Sequence, residues 1–111
     1  MPLDFEITPR EVKAKLDAGE SLALIDVREK SEHRVASIAG AELIPMGSVP
    51  QNLSRLEAEA DSKLLVVFCH HGIRSLSAVD WLRRHGIENC QSMSGGIDAW
   101  SAGVDPKIAR Y

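Results

Sequence analysis

Short apolar runs alternate with amphipathic stretches along this chain, which predicts strands and helices in turn. Phe5 to Ile7 reads as a brief first strand. A helix start follows at Thr8-Pro9-Arg10-Glu11, with Thr8 as N-cap, Pro9 at the first helical position and Glu11 completing a capping box. Val12 and Leu16 share one face of that helix, and Gly19 suits its C-terminal end. Leu22 to Asp26 is a continuous apolar run ending in a carboxylate, the pattern of a strand buried on both faces. Lys30 to Ala36 reads as a short helix, and Ala41 to Ile44 as a strand stopped by Pro45. A helix is expected around Val49 to Ala60, with one apolar stripe and a solvated face carrying Arg55, Glu57 and Glu59.

Leu64-Leu65-Val66-Val67-Phe68 is the strongest buried strand in the sequence. Ser75 to His85 is then helical, with Leu76, Val79 and Leu82 on one stripe. Arg83, Arg84 and His85 before Gly86 suit the negative end of the helix dipole. Cys90 to Met93 reads as a last strand and Ile97 to Ala102 as a last helix. Strands and helices in alternation predict an α/β sandwich on a mainly parallel sheet, with ligands bound outside the carboxyl ends of the strands.

The 111 residues carry no repeat or linker, so one domain spanning 1–111 is expected. A composition of 44% hydrophobic and 26% charged residues is that of a folded chain. The formal charge of −3 leaves no footprint for nucleic acid or an anionic membrane, so any bound anion must be captured locally. The N-terminal stretch shows no signal-peptide pattern, and no apolar run is long enough to cross a bilayer. Two cysteines, Cys69 and Cys90, argue against a disulfide framework and for a reduced, cytoplasmic setting in which thiol chemistry is open.

The candidate site is Cys69-His70-His71-Gly72-Ile73-Arg74-Ser75, between the strongest strand and the longest helix. A thiol there sits over a helix N-terminus, where backbone amides and the dipole favour an anion. That field is expected to move a thiol from about 8.5 into the range of roughly 3.5–7.5. Gly72 lets the backbone fold tightly around the sulfur, and Arg74 adds positive charge. Cys69, His70 and His71 do not suggest a metal, because no ligands at zinc spacing complete the set. Cys90 reads as a small buried hydrophobe, Trp81 and Trp100 as packing anchors, and His33 and His85 as surface residues. Asp26 and Arg28, at another strand end, read as a brace for nearby loops.

The Cys69–Ser75 segment resembles the active-site loop of the rhodanese family, Cys-x-x-Gly-x-Arg-Ser. Three further blocks stand in family order: Leu24 to Glu29, Ile38 to Pro45 and Gly95 to Trp100. One departure is Ala36-Ser37-Ile38, where the family often has Gly-His-Ile. The resemblance implies a three-layer α/β/α sandwich on a five-stranded sheet, needing no cofactor or metal. It implies a sulfurtransferase that takes a sulfane sulfur from a small anionic donor such as thiosulfate and holds it as a persulfide on Cys69. The sulfur would pass to cyanide, a thiol or an acceptor protein. In that mapping the amides of His70, His71, Gly72, Ile73, Arg74 and Ser75 cradle the sulfur, and Arg74 orients the donor.

Two other functions share these residues. A cysteine phosphatase or arsenate reductase would use a similar loop, but four residues separate Cys69 from Arg74 where the phosphatases have five. A sulfur-carrier module active only with a protein partner would keep the same persulfide. A monomer is expected.

Overall fold

The computed structural model describes residues 3–111; Met1 and Pro2, where the N-terminal stretch begins, lie outside them. Five strands form one sheet: β1 (Glu6–Ile7), β2 (Leu22–Asp26), β3 (Glu42–Leu43), β4 (Leu64–Phe68) and β5 (Cys90–Met93). Their order is β1-β5-β4-β2-β3, and every pairing is parallel, so the sheet is parallel throughout. The helices are α1 (Pro9–Asp17), α2 (Lys30–Val35), α3 (Leu53–Ala60), α4 (Ile73–Arg84) and α5 (Gly96–Gly103).

The sheet order dictates the layers. From β1 the chain crosses rightward to β2, whereas from β4 it returns leftward to β5. Right-handed crossovers therefore put α1 and α4 on opposite faces. Alternation along β4 shows both faces buried. Leu65 and Val67 pack with Val49, Leu56, Val79 and Leu82 of the α3 and α4 layer. Val66 and Phe68 pack with Val12, Ile97 and Trp100 of the α1 and α5 layer. Connections from β4 and β2 diverge, so the crevice of the fold opens between their carboxyl ends.

Local signals read from sequence account for most boundaries. Thr8 caps α1 with the expected reciprocal bonds to Glu11. Elsewhere the structure corrects the reading. The Val49–Ala60 stretch is not one helix: short 3₁₀ turns at Met46–Ser48 and Pro50–Asn52 precede α3. The break lies at Asn52, whose φ of −103° and ψ of 8° leave helical geometry just before α3, and its side chain donates to the Ser48 carbonyl at 2.8 Å. Helix α4 begins at Ile73, two residues ahead of the Ser75 start expected, and its buried stripe is Ser75, Ala78, Val79 and Leu82. Leu76 is 38% exposed and lies outside that stripe. Leu16 is likewise exposed, leaving Val12 as the buried residue of α1. No described helix is long and apolar enough to cross a membrane.

Candidate active site

Strand β4 delivers Cys69 to the crevice with its side chain on the α4 face of the sheet, in the same core as Val67 and Ala78. Gly72 turns the chain into α4 with φ at +104°, a left-handed conformation open to glycine. The turn aims the first helical amides back at the sulfur. The amide of Gly72 donates to Cys69 Sγ at 3.1 Å and that of Ser75 at 3.4 Å. The thiol in turn donates to Ser75 Oγ at 3.4 Å. Of the six amides expected to form the cradle, these two reach the sulfur. Those of Ile73 and Arg74 lie in the first turn of α4, where no intrahelical acceptor exists. Cys69 is 1% exposed, so the sulfur lies at the floor of the site.

The floor has a support that sequence reading missed. Ser92 on β5 is fully buried, and its hydroxyl lies 2.7 Å from Ser75 Oγ. A lone serine inside an otherwise buried strand was the available signal. The Gly95-Gly96 turn supplies a second support. The Ile97 amide donates to the Cys69 carbonyl at 2.8 Å, and the Asp98 amide to the His70 carbonyl at 3.1 Å. A Cβ on Gly96 would overlap both carbonyl oxygens, which explains a glycine at that position. Thus the Gly95–Trp100 block holds the backbone of the cysteine loop.

The remaining loop side chains divide. His70 stacks between His71 and Tyr111, with ring centroids 3.9 Å apart on each side. Ile73 is 79% exposed beside the mouth. Arg74 does not stand free as a donor-binding cation. Its guanidinium forks onto the Glu32 carboxylate at 2.7 and 2.9 Å. Glu32 also accepts from the Tyr111 hydroxyl at 2.7 Å and the Glu29 amide at 3.2 Å. Those bonds, Arg74 first, push the Glu32 carboxyl down to about 2. Arg74 is raised reciprocally, by Glu32 chiefly and also by the nearby Cys69. Neither Glu32 nor Tyr111 stands out in the sequence as part of a site.

Asp26 and Arg28 do brace the second wall of the crevice, from within the core. Both side chains are fully buried, and the guanidinium forks onto Asp26 at 2.9 and 2.7 Å. Arg28 also donates to the Ala36 carbonyl and the Tyr111 hydroxyl, so it ties α2 to the end of the chain. His33 is not a plain surface residue: its Nδ1 lies 2.9 Å from Asp26 Oδ2. His85 keeps its place at the end of α4, stacked on Trp81. Cys90 is buried, its thiol donates to the Ile87 carbonyl, and burial raises its pKa. Among the described residues no cluster of His, Cys, Asp or Glu could hold a metal.

Known proteins resemble this chain in sequence and in fold. The chain is 36% identical, over its whole length, to part of the maize "Adenylyltransferase and sulfurtransferase MOCS3-2", and covers 24% of that protein. It thus spans about a quarter of the length of the curated relatives it matches first. It is 30% identical to the "Thiosulfate sulfurtransferase GlpE" of Pseudoalteromonas translucida, covering 82% of this chain and 84% of that one. Among solved structures, a rhodanese-like domain protein from Staphylococcus aureus superposes with a TM-score of 0.80 at 30% identity, covering 97% of this chain and 99% of that one. The Rhodanese-like domain matches residues 8–103, a span that holds the cysteine loop and all three flanking blocks, and the chain belongs to that family.

Proposed function

We propose that the chain is a sulfurtransferase that carries a sulfane sulfur as a persulfide on Cys69. One observation supports this most: the amides of Gly72 and Ser75 converge on a single sulfur atom at the floor of the crevice. Oriented amides stabilise negative charge on that sulfur without reorganising during reaction. With thiosulfate as donor, the Cys69 thiolate attacks the outer sulfur. The bond between the two donor sulfurs breaks, and its electron pair leaves with sulfite. The persulfide then gives its terminal sulfur to cyanide, a thiol or an acceptor protein, regenerating the thiolate. Covalent catalysis splits the transfer into two displacements.

The test is intact mass after incubation with thiosulfate. Wild type should gain one sulfur atom, lose it to cyanide, and show no gain as Cys69→Ser. No gain from any sulfane-sulfur donor would overturn the proposal.

A second reading, a carrier that turns over only with a protein partner, draws support from the relatives in which such a domain is a fraction of a larger protein. Turnover of a charged persulfide with free thiols, compared with turnover only when partner is added, separates the two. The cysteine-phosphatase reading fits less well, since four residues separate Cys69 from Arg74 where the phosphatases have five. Cys69-dependent hydrolysis of an aryl phosphate would revive it. We take the working unit to be one domain, 1–111, acting as a monomer in a reducing, cytoplasmic setting.

A further inference from the structure

Arg74 is the cation that a small anionic donor would seek at this mouth, yet it already holds a carboxylate. Glu32 occupies both outer nitrogens of the guanidinium in a fork, the geometry by which arginine recognises an oxyanion. Glu32 is itself fixed from three sides. Its position at N3 of the α2 capping box ties it to the Glu29 amide, Arg74 grips it from α4, and Tyr111 donates to it. Tyr111 is anchored in turn by Arg28 and by stacking on His70. The latch therefore spans the crevice between the carboxyl ends of β2 and β4, where this class of sheet takes its ligand.

Among the described residues, two other arginines near the mouth are also engaged by carboxylates. Arg28 is paired with Asp26, and Arg110, beyond His71, with Asp98. On the far side of the loop lies an open groove of about 660 Å³ with apolar walls from Phe5, Ile73 and Leu76. Its carboxylates are Glu6 and Asp80; Arg84 is bonded to Asp80, and Arg83 lies over the Phe5 ring with its guanidinium nitrogens donating to the Leu3 and Asp4 carbonyls. The groove adjoins the loop at His71, Gly72 and Ile73, so it offers apolar surface to an organic group bearing a persulfide.

We propose that Glu32, latched by Tyr111, is a specificity-determining residue that occupies the anion position of Arg74. It thereby turns the site from small dianionic donors toward persulfides carried on an organic thiol. This rests on the sulfurtransferase reading and names its donor class. In the preferred reaction the Cys69 thiolate attacks the terminal sulfur of R–S–SH. The S–S bond of the donor breaks, its electron pair leaves with R–S⁻, and the proton remains on the new Cys69 persulfide.

The test compares wild type, Glu32→Gln and Tyr111→Phe. Glutamine at N3 still closes a capping box, and phenylalanine keeps the stack on His70, so both variants retain the local structure. The ratio of kcat/KM for thiosulfate to that for cysteine persulfide should rise about tenfold or more in Glu32→Gln as Arg74 is released. It should rise by a smaller factor in Tyr111→Phe. A second measurement does not depend on sulfur transfer: the rate of Cys69 alkylation by anionic iodoacetate relative to neutral iodoacetamide. That ratio should rise in the same order. An alkylation ratio unchanged or lowered in Glu32→Gln overturns the inference, whatever the donor kinetics show. A raised alkylation ratio with an unchanged donor ratio overturns the assignment of donor class. A raised alkylation ratio in a protein that no donor charges would sink the sulfurtransferase reading and leave Glu32 as the residue that governs anion access.

Discussion

Gly96 lies directly against the carbonyl of Cys69, so close that any side chain at position 96 would overlap it. The contact lets the first amides of α5 cap the backbone of the cysteine loop, through Ile97 to Cys69 and Asp98 to His70. The Gly95-Gly96 turn thereby sets the position of the Cys69 main chain. Gly96→Ala meets both the overlap and a positive φ of +61°. It is expected to cost roughly 2 kcal/mol or more. Urea unfolding measures the loss, and the rate of persulfide formation should fall with it. A variant as stable and as fast as wild type would mean that the loop positions itself.

The buried pair of Asp26 and Arg28 predicts a larger effect away from the sulfur. Asp26→Asn leaves the fully buried Arg28 without its carboxylate. Breaking such a pair from one side costs about 3–5 kcal/mol, a large share of the stability of a domain this size. A denaturant midpoint within error of wild type would show that water reaches the pair.

The two cysteines should differ sharply in reactivity. Both are buried, but Cys69 lies at the floor of the crevice with the Gly72 and Ser75 amides on its sulfur, whereas Cys90 is bonded to the Ile87 carbonyl and raised in pKa by burial. A neutral alkylating reagent at about pH 8 should therefore modify Cys69 in the native protein and reach Cys90 after unfolding. Peptide mapping by mass spectrometry distinguishes the sites. Equal native labelling of both would remove Cys90 from the core.

Acid should erase the Glu32 latch. In the folded chain this carboxyl sits at about 2, because Arg74 and then Tyr111 hydrogen-bond its charged form. Unfolded, it returns to about 4.3. A lowered folded value means that the contribution to stability is full above the unfolded pKa and fades as pH falls toward 2. Wild type and Glu32→Gln should therefore differ most in urea midpoint near neutrality and converge at about pH 2–3. Other acid-titrating groups are common to both proteins and cancel. A gap that stays constant from neutrality to acid would show that the Glu32 charge adds no stability.

The order of strands and helices, the buried character of β2 and β4, the α1 capping box and the placement of Cys69 between strand and helix were all legible in the sequence. Each depends on neighbours along the chain: a run of apolar side chains, Thr8 three residues before Glu11, Gly72 three residues after Cys69. Departures arose where local signals compete, as around Pro50 and Asn52, or where a turn residue such as Gly72 starts a helix early.

Tertiary structure alone decided what surrounds the sulfur. Ser92 reaches Ser75 because β5 pairs beside β4, and Glu32 reaches Arg74 because β2 pairs on the other side. Tyr111 closes over His70 from the end of the chain. None of these partners shares a periodicity with the cysteine loop, so no pattern along the chain could pair them. The Cys69 sulfur and its helix cradle are local geometry, and the sequence carries them. The state of Arg74, free or already engaged, depends on side chains brought together across a crevice, and only the folded sheet brings them there.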